Sequence, residues 1–196
     1  MNRRHYTTMT IDDHRAAARE WATVHRSVTE FENITRTARG APGRLHANVK
    51  RIHKALERIL MGMREVEART LPSDAGSHWL AVVTVEPVTA VRRPYLVLTI
   101  DGHIAAARAL GPSQPAVRRF LDIIRLHQHL PVRIMDDAIR VLHLIQFLRC
   151  QMEDFQFYSL RGRGIPWVNC WLGSNNYVDG GDAGNTDMGN ATWEVN

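Results

Sequence analysis

From Ile11 onward the apolar positions Ala17, Trp21, Val24, Val28 and Phe31 recur at steps of 4, 3, 4 and 3, which is one face of an α-helix. The spacing predicts a first helix to about Arg36. "ARGAPG" at 38–43 then supplies Gly and Pro for a reversal. Leu45, Val49, Ile52, Leu56, Ile59, Met63 and Val66 repeat the pattern to about Ala68. Two helices joined by so short a turn should lie antiparallel with their apolar stripes facing.

The period changes after "LPSDAGS" at 71–77. "HWLAVVTVEP" and "RRPYLVLTID" are rich in Val, Leu, Thr and aromatics, and each is closed by a turn signal, so they predict two strands of a small sheet. "DGHIAAARALG" predicts a short third helix, ended by Gly111-Pro112. "QPAVRRFLDIIRLHQHLP" is partly helical and is interrupted at Pro131. The last long helix is expected to begin at Asp136 and Asp137, because Ala138, Val141, Ile145, Leu148, Met152 and Phe155 again alternate steps of 3 and 4. The fold class expected is mainly α: an antiparallel four-helix bundle with a small β-sheet at one end and an irregular C-terminal tail. Residues 1–172 form a single helical domain on this reading, and 173–196 a polar acidic tail.

Charge adds a partner to this picture. Of 25 Lys and Arg only Lys50 and Lys54 are lysines, leaving 23 arginines, and the guanidinium suits bidentate recognition of phosphate or carboxylate. A genome rich in G and C would produce the same bias. The formal charge of +5 divides into +9 up to Arg163 and −4 beyond it. A basic body with an acidic end fits a polyanion held at one place and solvent met at another. Two cysteines, Cys150 and Cys170, are too few for a disulfide framework or a four-cysteine zinc site. The first residues lack the apolar run of a signal peptide and no stretch has the length of a membrane span, so an intracellular, membrane-free protein is expected.

Enzyme signatures are missing. The chain has no Walker loop, no G-x-G-x-x-G after a strand, no H-E-x-x-H, no G-x-S-x-G and no paired C-x-x-C, and no enzymatic activity or cofactor is expected. The acidic pair Asp136-Asp137 admits several roles. With His127 and His129 it could gather a divalent cation if the Pro131 segment folds tightly. Alternatively the histidines are loop residues and the aspartates neutralise the positive end of a helix. The second reading is preferred: no dedicated metal site, with weak calcium binding at Asp136 and Asp137 left open.

The order of elements carries a resemblance. A helix pair, a small sheet, a short helix, a loop and "DDA" opening a long helix are followed by Tyr, Arg and Trp. "MDDAIRVLHLIQFLRCQMEDFQFY" resembles a segment of the coat proteins of rod-shaped plant RNA viruses, the tobamovirus and tobravirus type, with DDA, His, Met-Glu and Tyr at equal spacings. "VTVEP" followed by "RRPYLVLTIDG" resembles that family's sheet leading into an Asp-headed helix. "VRR" at 117–119 falls where the family carries arginines beside RNA, whereas "RGRG" at 161–164 replaces its aromatic and acidic residues.

The resemblance implies a capsid subunit that polymerises helically around single-stranded RNA, located in the virion and the host cytoplasm. It implies that Arg118 and Arg119 contact phosphates, with Arg133 joining them. Arg44, past the Gly-Pro turn, could set a guanidinium and helix N-terminal amides at one phosphate. Asp136 and Asp137 become carboxylates beside RNA, where protons or calcium would relieve their repulsion. Asp101 matches a family carboxylate at a subunit contact, and the acidic tail would face solvent at the outer surface. RNA-adjacent capping carboxylates rank first for the Asp pair, followed by plain caps, metal ligands and catalysts. The competing expectation is a small basic nucleic-acid-binding accessory protein acting as a monomer or dimer.

Overall fold

The computed structural model describes residues 8–36, 38–71, 79, 98–127 and 130–159, and these are mainly helical. Among the described residues five helices follow in order: α1 (Ile11–Thr35), α2 (Gly43–Thr70), α3 (Ile100–Leu110), α4 (Ser113–Ile124) and α5 (Val132–Ser159). No strand occurs among the described residues. All of the first expected strand but Trp79 and the first six residues of the second lie outside them, as do His129 and the C-terminal tail. The last two residues of the second expected strand, Ile100 and Asp101, instead open α3, because Thr99 caps that helix by accepting from the Gly102 amide at 3.2 Å.

α1 starts on a capping box. The Thr10 hydroxyl accepts from the Asp13 amide, and the Asp13 carboxylate accepts from the Thr10 amide at 2.8 Å. Every residue of its expected apolar stripe is buried, as is every residue of the stripe on α2. The chain reverses between them through Gly40, whose φ of 83° is left-handed. Trp21 then ties the pair by donating its indole N–H to the Leu56 carbonyl at 3.0 Å. Side-chain contacts between residues 14 and 70 and between 32 and 53 confirm that α1 and α2 run antiparallel.

α5 lies antiparallel along α2. Gly62 meets Ile134 so closely that an added Cβ would stand 2.9 Å from two Ile134 carbons, while farther along Asn48 donates to Gln151 at 3.2 Å. α4 packs on α1 and α5, and α3 on α1 and α5. Gly111 and Pro112 separate α3 from α4, so the partly helical stretch expected after residue 113 is a helix in its own right.

The start of α5 differs from expectation. The helix begins at Val132, directly after Pro131, whose carbonyl accepts from the Ile134 amide at 2.9 Å. Asp136 and Asp137 therefore sit in the second turn, past the amides that need capping, and the first turn of α5 holds no acidic residue. Neither aspartate is a helix cap.

Past α2, Trp79 packs back on α1. It is fully buried and donates its indole N–H to His14 Nδ1 at 3.3 Å, while His14 Nε2 lies 3.0 Å from Thr70 Oγ1. The Thr70 hydroxyl already donates to the Val66 carbonyl, so it accepts from His14 Nε2–H.

Candidate nucleic-acid interface

The arginines expected at RNA are on three different helices and have different partners. Arg118 is exposed on α4 and enters no hydrogen bond or ion pair among the described residues. Its neighbour Arg119 reaches across to α1, where Nε donates to Glu20 at 2.9 Å, and this contact raises its pKa further against a smaller opposing effect of burial. Arg133, in the first turn of α5, donates to Glu65 of α2 at 2.8 Å. Arg44 is exposed in the first turn of α2. Thus two of the four carry a carboxylate partner from within the chain, and two face solvent.

The acidic pair divides. Asp136 is exposed, whereas Asp137 is only 7% exposed and its two oxygens accept from Nε and Nη2 of Arg58, the former at 2.8 Å. This fork geometry is the strong form of an ion pair. The hydrogen bond to Asp137 holds the Arg58 guanidinium above its ordinary pKa, outweighing the effect of burial. Asp137 is therefore committed to joining α5 to α2. Asp101 is exposed in the first turn of α3.

His127 is buried and its Nε2 lies 3.7 Å from Asp13 of α1. Burial pushes the Asp13 carboxyl up, but hydrogen bonds from the Thr10 side chain and amide, with the nearby His127 and His14, hold it below the usual carboxylate range. Among the described residues no three His, Cys, Asp or Glu side chains gather as a metal-ligand group. Both oxygens of Asp137 accept from Arg58, so this carboxylate already has a guanidinium to balance its charge.

Arg58 recurs at a step of seven with Arg44 and Arg51, but nothing in the sequence pairs it with Asp137. Only the antiparallel register of α2 and α5 brings residues 58 and 137 together. The exposed aromatics of α5 are equally silent in the sequence: Phe147 is 62% exposed, Phe157 63% and Tyr158 78%. A period that selects the buried face leaves such residues unassigned. Leu126 and Val132, at 63% and 75%, expose a second apolar area around the α4–α5 connection. Among the described residues, no helix is long and apolar enough to cross a membrane.

Comparison of the chain with protein-family profiles, with curated protein sequences and with solved structures finds no match.

Proposed function

We propose that the protein is a structural coat subunit that polymerises around single-stranded RNA. The observation that carries this reading is the presence of exposed apolar residues on separate parts of the surface. Leu126 and Val132 flank the α4–α5 connection, and Phe157 stands near the end of α5, about a quarter turn around the helix from Phe147 and Tyr158. Two unlike sticky areas favour head-to-tail contacts, which extend into a filament, over the single self-complementary patch of a dimer. An arginine-rich body supports the RNA part of the reading, since phosphate binding needs cations and no base-specific code. The ordered resemblance of "VTVEP", "RRPYLVLTIDG" and "MDDAIRVLHLIQFLRCQMEDFQFY" to rod-shaped virus coat proteins supports both.

On this reading the helices complete a four-helix bundle with a small sheet at one end, and the acidic tail meets solvent. The subunit is structural, has no catalytic role, and works in the virion and host cytoplasm. Nuclease protection distinguishes it from a monomeric or dimeric accessory factor. A long single-stranded RNA mixed with excess protein should become protected along a continuous length that grows with protein concentration. An accessory factor would leave short, discrete footprints, and that result would remove the coat reading.

A further inference from the structure

The geometry points to a sequence-independent single-stranded nucleic-acid track along the exposed seam between α2 and α5. This assignment rests on the coat reading and names the surface that would hold the strand.

Arg44, Arg51 and Arg58 recur every seven residues, two helical turns, so they form one row along α2. The row spans about 21 Å at the rise of an α-helix. It borders α5, because Arg58 grips Asp137 and Asn48, three residues before Arg51, bonds Gln151. Arg51 also donates to Asn48 at 3.3 Å, which holds its stem against the seam. Lys54 lies between Arg51 and Arg58 on the adjacent row and is exposed.

α5 supplies the facing flank. Phe147 is one turn before Gln151, Tyr158 is two turns after it, and Arg140 is two turns before Phe147. The flank therefore carries Arg140, Phe147 and Tyr158, all exposed. Phe147 falls level with Arg51, and Tyr158 falls toward the Arg44 end, as the antiparallel register requires. Arg133 and Glu65 close the seam at its other end by neutralising each other.

Charge identifies the occupant. Within the seam Arg58 is balanced by Asp137, while Arg44, Arg51, Lys54 and Arg140 have no carboxylate partner among the described residues. Asp154 continues the row of Arg140 and Phe147 seven residues on, and Asp136 lies one turn before Arg140, so two exposed carboxylates stand against the four exposed cations. A second copy presenting the same seam would meet a surplus of like charge, four cations against two carboxylates. A polyanion would neutralise that surplus. Exposed aromatic rings interleaved with cations add the second half of a single-strand site, since unpaired bases stack on such rings and paired bases do not offer their faces. A site of about four nucleotides or more suits the length of the row.

The test uses the full chain and a fluorescein-labelled oligouridylate of about twelve nucleotides in anisotropy titrations over a range of salt. Arg51→Ala with Lys54→Ala should weaken binding about tenfold or more and lower the slope of log affinity against log salt by about 1.4, two phosphate contacts on a single strand. Phe147→Leu should weaken binding about tenfold and leave the salt slope unchanged. Arg26→Ala, exposed on α1, should leave affinity unchanged. All these positions are exposed, and unchanged far-ultraviolet circular dichroism and melting verify the fold. Wild-type binding that persists in both seam variants would overturn the track while leaving RNA coating intact. Absence of binding by the wild type at low salt would overturn both. A Phe147→Leu variant that sediments more slowly without RNA, yet binds the oligouridylate as the wild type does, would make the seam a contact between copies and overturn the assignment.

Discussion

Asp137 takes both of its hydrogen bonds from Arg58, so removing the carboxylate leaves a guanidinium facing a half-buried, emptied site. Asp137→Ala should cost about 1–3 kcal/mol in urea denaturation. Asp136→Asn, at an exposed position, should change stability by less than about 0.5 kcal/mol. Equal effects of the two substitutions would contradict the division of labour between these neighbours. Histidines set the acid limit. Burial lowers the pKa of His103, packed on Phe155, from 6.5 to about 4, and burial with the nearby His53 lowers that of His25. The unfolded chain takes up these protons first, so the native state is fully favoured above about pH 6.5 and loses ground as pH falls toward 4. For His103 the loss is on the order of 3 kcal/mol once pH is below about 4. Denaturation midpoints measured across that interval should fall, and His103→Gln should flatten the decline. The two aspartates are adjacent in sequence, and no local pattern separates them. Their different roles come from one helical step of rotation combined with the register of α2.

At the scale of elements, the three long helices are legible in the sequence because burial imposes a period on every residue of a face. Ala17 to Phe31, Leu45 to Val66 and Ala138 to Phe155 are the stripes in the sequence and the buried faces in the structure. Ends are less legible. The "DDA" motif has the form of a helix start, yet Pro131 and Val132 begin α5 one turn earlier, since proline at the boundary needs no amide partner. The acidic pair then faces α2 and solvent in place of the helix terminus. Packing between elements has its own test at Gly62. A methyl group there would press on Ile134, which is itself buried and has nowhere to move. The strain of about 1–3 kcal/mol should outweigh the gain in helix propensity of about 1 kcal/mol, so Gly62→Ala should lower the melting temperature. Measured in an Ile134→Ala background, the same substitution should be neutral or stabilising. A loss of equal size in both backgrounds would show that the α2–α5 contact does not set the requirement for glycine.

The whole molecule presents a basic, arginine-rich body with apolar residues exposed at separate places, and both features are expected of a subunit that meets RNA and its own copies. Composition alone carries the first feature. The second depends on which residues tertiary packing leaves uncovered, among them Phe157 on α5 and Leu126 and Val132 on either side of the α4–α5 connection. The seam has the same origin: Arg44, Arg51 and Arg58 form a row by their spacing on α2, with Lys54 beside it, but they line a seam only because α5 lies beside α2. Negative-stain electron microscopy tests the central claim most directly, on purified protein with and without single-stranded RNA at about pH 5 and about pH 8, which brackets histidine titration. Rods or stacked discs that lengthen when RNA is added are the expected result. Particles that stay compact under all four conditions would contradict the claim.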